Sequence, residues 1–165
     1  MKVLYGNSRI VLLTKSHAVK FARIRPLKAL IWFIGFLSGK IKLSRDQKDK
    51  SLLRILGGIT LCGVMANLRE YTYSVEYPHD NRIKPASKCL LNGIVILQPR
   101  GEGATKKDIP RGSFRLFPYI IPRTETCLSK QYAIFHDEGV RRVLLIDFGS
   151  KITVEALKTT CYQKF

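Results

Sequence analysis

RRVLLIDFGS, Arg141 to Ser150, reads as a buried strand that stops on a turn. Two bases lead into the apolar run Val143-Leu144-Leu145-Ile146, and Asp147-Phe148-Gly149 ends it with an Asp-x-Gly turn signal. Upstream, Gln131 to Phe135 is a second apolar run, and the HDEGVRR between the two supplies turn residues. The pair predicts a β-hairpin.

Working outward, SRIVLLT (Ser8–Thr14) and AVKFARI (Ala18–Ile24) flank a Lys15-Ser16-His17 turn and predict another hairpin. In its second strand Val19 and Phe21 share one face and Lys20 points to the other, because side chains alternate along a strand. Pro26 closes the hairpin. Helices are expected over 27–37 and 51–75, joined by the charged, exposed connector KIKLSRDQKDK. Within the second helix Leu61, Val64, Met65 and Leu68 recur at helical spacing. Residues 77–88 are turn-rich, and Leu90–Leu97 reads as two short strands around an Asn92-Gly93 turn. Pro99, Pro110, Pro118 and Pro122 exclude a long helix over 99–124, and Val154–Phe165 suits an amphipathic helix.

The 165 residues suit one domain, or one with an appendage. A hydrophobic content of 45% and a mean hydropathy of −0.03 give the chain enough apolar material for a core. The net charge of +17 points to an anionic partner: nucleic acid, an anionic surface or a nucleotide. Cys62, Cys89, Cys127 and Cys161 lack metal-site spacing and read as reduced thiols. His17, His79 and His136 fall in expected turns, with no partner that marks a catalytic base. MKVLYGNSRIVLL has no signal-peptide pattern, which gives a cytoplasmic expectation. The apolar run Ala29–Gly39 is shorter than the ~20 residues of a membrane span. It predicts a buried helix or, with its neighbouring lysines, one that lies on a membrane surface.

The order of these elements carries a resemblance. Lys20 in AVKF, Glu70 at the end of GVMANLREYTY, strands around LLNGIVILQ and Asp147-Phe148-Gly149 after a hairpin follow the order found in the protein-kinase-like superfamily. YAIFHDEGVRRVLLIDFGS, Tyr132 to Ser150, resembles the closing hairpin of its small phosphotransferase-like members. The SRIVL, VKF and ANLRE stretches are also similar to short kinase-like proteins encoded by bacteriophages. The resemblance touches residues 5–25, 60–76, 90–100 and 131–150.

It implies an α+β fold of reduced kinase-like form. An N-lobe-like region would cover 1–98, with a small antiparallel sheet, one helix like αC and an insertion at 27–58. A reduced C-lobe-like region would cover 99–165, since only 16 residues follow Gly149. The implied ligands are ATP and Mg²⁺. Gly6 and Ser8 would form a minimal anion-binding turn, Lys20 would hold phosphates and Glu70 would orient Lys20. Gln98 would sit at the base-binding hinge, and Asp147 would ligate the metal.

The sequence also departs from the pattern. Tyr132 stands where a magnesium-binding Asn belongs, and Cys127 where the catalytic Asp belongs. Glu125 or Asp137 could substitute in space, with no motif behind either. The implied function is therefore a minimal phosphotransferase acting on a hydroxyl, or a pseudokinase that works by binding a partner protein. The alternative is a basic protein that binds nucleic acid or an anionic surface. For that reading Lys106, Lys107, Arg111 and Arg115, with Phe114, Phe117 and Tyr119, form a basic and aromatic stretch. Taken singly, Lys20 is a solvated strand charge, Glu70 an exposed helix residue and Asp147 a turn former.

Overall fold

Alternating β-branched and apolar residues build the first sheet. Strands β1 (Lys2–Tyr5), β2 (Arg9–Leu13) and β3 (His17–Ala22) run antiparallel, with Val11 opposite Lys20. Strands β4 (Lys88–Leu90) and β5 (Val95–Pro99) complete a five-stranded sheet in the order β1-β2-β3-β5-β4, with Lys20 opposite Ile96. Strand β1 is absent from the sequence reading because Val3-Leu4-Tyr5 is a short continuous apolar run with no polar–apolar alternation. This computed structural model describes residues 1–6, 8–43, 45–109, 131–137 and 139–162.

Helix α1 (Pro26–Leu37) begins on Pro26, whose missing N–H is no loss in a first turn. A short turn of helix, α2 (Arg45–Lys48), interrupts the exposed connector. The single helix expected over 51–75 is two: α3 (Leu52–Thr60), capped by Ser51, and α4 (Cys62–Glu76), bent 76° from it. Leu61 leaves the helical backbone at the bend, and α4 then lays Gly63 against the Ser8 carbonyl and the Arg23 amide. A side chain at 63 would collide with that backbone, so glycine permits the helix to seat directly on the sheet.

Asn92-Gly93 does turn the chain between β4 and β5, although the connection takes Leu91 to Ile94. Leu91, Asn92 and Gly93 all have positive φ there (51°, 49° and 91°). A second, three-stranded antiparallel sheet orders β6 (Glu102–Gly103), β7 (Tyr132–Asp137) and β8 (Val140–Leu145). The predicted closing hairpin is thus present, with a tighter turn than expected and with His136 in a strand; His17 likewise opens β3. Helix α5 (Lys151–Tyr162) follows, three residues earlier than its apolar pattern suggested.

The architecture is α+β with antiparallel sheets. Tyr73, Ile83, Tyr132, Leu145, Phe148 and Leu157 form the main apolar cluster, tying α4, the β7–β8 hairpin and α5 together. Among the described residues no single helix is long and apolar enough to cross a membrane. The α3–α4 pair passes that test together but is bent at the break.

Candidate functional site

Which face of the β2–β3 hairpin turns inward decides the site. Register places Arg9 opposite Ala22, Val11 opposite Lys20 and Leu13 opposite Ala18. This is the inward face: Arg9 is 5% exposed and Lys20 3%, while Phe21 on the other face is 38% exposed. The face that carries the charges is therefore the buried one.

Helix α4 meets it with charges of its own. Its inward residues are Gly63, Ala66, Asn67, Glu70, Tyr73 and Ser74, at helical spacing. The periodic Leu61 and Met65 lie on the outer side instead, each 41% exposed. Glu70, fully buried, accepts from Lys20 Nζ on Oε1 and from Arg9 Nη1 on Oε2, the latter at 2.6 Å. Asn67 Oδ1 accepts from Arg9 Nη1 at 3.2 Å, and its Nδ2 donates to the Gly93 carbonyl at 2.9 Å. Lys20 Nζ also donates to the Ile146 carbonyl, and Arg9 Nη2 pairs with Asp147 Oδ1. Two cations thus meet two carboxylates, and the cluster is neutral.

Burial governs its titration. Desolvation pushes the Lys20 ammonium down from 10.5 to about 8; Glu70 opposes this shift and the Arg9 charge adds to it. Burial alone would raise Glu70, but the cations on its two oxygens reverse that and hold it below its ordinary value. Neither Lys20 nor Glu70 is the solvated charge that each resembles when read singly.

Phe148 places Asp147. The ring is fully buried and meets Tyr73 edge-on, with centroids 5.8 Å apart, while the Asp147 side chain stays 43% exposed. Gly149 lies against the Ala66 carbonyl, where any side chain would collide. The Asp-Phe-Gly turn is thereby fastened to α4 one helical turn before Glu70.

Between the two sheets lies a cavity of about 370 Å³, within the ~300–1,000 Å³ range of small-molecule clefts. Val11, Leu13, Ala18, Tyr132, Ala133 and Ile146 form its apolar walls. Lys20 and Asp147 reach it, as do Lys2 and Arg100, and the strap Gln98–Glu102 between β5 and β6 closes one side. Gln98 is 1% exposed, and its Nε2 donates to the Lys84 carbonyl.

The structure brings Lys20, Glu70, Gln98 and Asp147 to one place, with Glu70 behind Lys20. Gly6 and Ser8 do not line the cavity. The Gly6 N–H is already bonded to the Arg9 carbonyl at 2.9 Å, and the Ser8 carbonyl accepts from the Arg23 amide. Asp137 pairs with Lys84 at 3.2 Å and belongs to a different hollow. Glu125, Cys127, Arg111, Phe114, Arg115, Phe117 and Tyr119 lie outside the described residues. Cys62 and Cys89 are free thiols.

Arg9 and Asn67 were missed. The available signal was the two-residue period that places Arg9 on the face of Val11, Leu13 and Lys20, together with Asn67 one turn before Glu70.

Among the described residues no three His, Cys, Asp or Glu side chains gather to hold a metal, so Mg²⁺ at Asp147 would depend on waters and ligand phosphates for its other oxygens. Asp147 already carries the Arg9 guanidinium. A dication roughly 5 Å from that guanidinium would be repelled by about 7 kcal/mol at an effective dielectric near 20. A metal at Asp147 would therefore compete with Arg9 for the carboxylate.

No family model, curated protein or solved structure matches this chain.

Proposed function

We propose that the chain is a kinase-like nucleotide-binding protein of the pseudokinase kind, with binding uncoupled from phosphoryl transfer. The observation that carries the reading is the meeting of Lys20, Glu70 and Asp147 at the inner end of one apolar cleft. Supporting it is the order of elements: a β2–β3 hairpin bearing the lysine, helix α4 bearing the glutamate, β4–β5 leading to a strap, and a hairpin ending in Asp-Phe-Gly. In this reading the five-stranded sheet and α4 form the N-lobe-like part, and β6–β8 with α5 a reduced C-lobe.

The apolar walls and the strap residues Gln98–Glu102 would hold the base. The phosphates would lie toward Lys20, with Lys2 and Arg100 adding positive charge at the cavity wall. Arg9 neutralises Asp147, so an anionic ligand beside it meets no uncompensated carboxylate and needs no bridging metal. Tyr132, buried against the cavity, offers a phenol where the kinase pattern calls for a metal-binding amide. No transfer step follows from these residues. Function would rest on the ligand-bound shape and on a protein partner that recognises it.

Thermal denaturation with ATP in EDTA, and again with Mg²⁺, tests this. ATP is expected to raise the melting temperature in EDTA, with little added by Mg²⁺, because a ligand that binds only the folded state stabilises it. Lys20→Met should abolish the shift. Absence of any shift with ATP, ADP or GTP in either buffer defeats the reading. A shift seen only with Mg²⁺ keeps the nucleotide but overturns the metal-independent role of Arg9.

A further inference from the structure

We propose that the outer face of α1 and the basic hollow beside it form a docking surface for an anionic phospholipid bilayer. Helix α1 is apolar on every side, with Lys28 its only charged residue. Its inner side packs on α3, burying Ala29 and Ile55. The other side holds Leu27, Leu30, Ile31, Ile34 and Leu37, each between 52% and 68% exposed. At 100° per residue these five span about one-third of the helix circumference, a continuous stripe. A water-facing helix normally places polar residues there.

The charge around the stripe names what covers it. Lys28 and Gly35 are seven positions apart and share one flank of the helix. Ile41 folds back on Gly35, its N–H bonded to the Gly35 carbonyl at 3.0 Å, so the exposed Lys40 and Lys42 bracket that flank. Beside it opens a hollow of about 400 Å³, lined among the described residues by Arg25, Lys28, Lys50 and Arg54 and by no acidic side chain. None of these four cationic side chains makes a hydrogen bond or ion pair with another described residue. Over residues 23–54 the sequence holds nine Lys or Arg against two Asp.

An aliphatic stripe rimmed by cations is the pattern of a helix that lies in the plane of an anionic membrane. At 12 residues α1 is about 18 Å long, too short to cross a hydrocarbon core of ~30 Å. It therefore rests in the interface, with the stripe among the acyl chains and the hollow facing a lipid phosphate. Nucleic acid would use the cations but leave five aliphatic side chains without a role. A second copy would bring an equal basic rim against this one. The surface shares no residue with the cleft between the sheets, so it does not depend on the nucleotide reading.

The full chain is mixed with vesicles of phosphatidylcholine, with or without one-third phosphatidylglycerol. With the anionic vesicles it is expected to co-sediment, and with the neutral vesicles to stay in the supernatant. Ile31→Glu with Ile34→Glu should abolish binding while leaving the circular dichroism unchanged, since both positions face solvent. Lys40→Gln with Lys42→Gln should weaken binding by roughly fivefold per lysine.

Equal binding to neutral vesicles overturns the proposal, as does undiminished binding of the isoleucine pair. If that pair fails to fold, the wild type's preference for anionic over neutral vesicles and the lysine pair decide instead. A dimer that Ile34→Glu dissolves would assign the face to a second copy. Salt-sensitive binding to DNA or RNA that the lysine pair weakens, without binding to vesicles, would assign the surface to nucleic acid. Release from vesicles by millimolar inorganic phosphate would make the hollow a site for the free ion.

Discussion

Helix α4 turns Asn67, Glu70 and Ser74 into the interior, none more than 4% exposed, whereas α1 turns Leu27, Leu30, Ile31, Ile34 and Leu37 to solvent. A polarity rule applied to either helix alone would orient it wrongly. In α4 small residues bring the backbone close to the sheet, and the buried carboxylate is tolerated because two cations and an amide satisfy their partners around it. In α1 none of the other described residues covers the outer face, whose five aliphatic side chains are each more than half exposed. Departures from the ordinary pattern gather where a chain does something besides fold.

The contrast breaks first at Glu70. Replacing it with Ala leaves Lys20 and Arg9 buried with one fewer carboxylate, and a loss of about 3–5 kcal/mol is expected in urea unfolding. A near-neutral result would mean that the inward face of α4 is not an ion hub. Next comes pH. The folded chain releases the Lys20 proton near pH 8, while the unfolded chain holds it to about 10.5, so the unfolded state binds more protons in that window. Stability must therefore rise with pH there. Relative to Lys20→Met, the wild type should gain about 3 kcal/mol between those two values.

A smaller effect belongs to Asp147→Asn. The side chain is 43% exposed, so solvent already screens its pair with Arg9, and a loss of about 1 kcal/mol is expected. The smallest sharpens the other half of the comparison. Ile34→Gln on the outer face of α1 should change stability by less than about 0.5 kcal/mol, since the side chain is 57% exposed. A larger loss would show that the stripe is covered within the folded chain.

Much of this was legible beforehand. The closing hairpin, the turn at Lys15-Ser16 and the Asn92-Gly93 turn follow from alternation and turn chemistry, whereas the convergence of Lys20 with Glu70 was only what the kinase-like resemblance implied. The bend at Leu61 did not, because no proline or cap marks it; it arises from the docking of Gly63 on the sheet, a tertiary demand. Arg9 was hidden for a different reason. An arginine opening a strand reads as an edge charge, and only its partners on α4 and at Asp147 make its burial tolerable. Strand β1 was hidden because Val3-Leu4-Tyr5 is a short continuous apolar run with no polar–apolar alternation to mark a strand.

The seam between α4 and the sheet has a calorimetric consequence. Opening it wets a guanidinium, an ammonium, a carboxylate and an amide, and polar surface lowers the heat capacity on hydration. Opening α1 from α3 wets Ala29 and Ile55, and apolar surface raises it. The charged groups of the seam and the apolar contact of α1 with α3 therefore contribute to the heat capacity of unfolding with opposite signs.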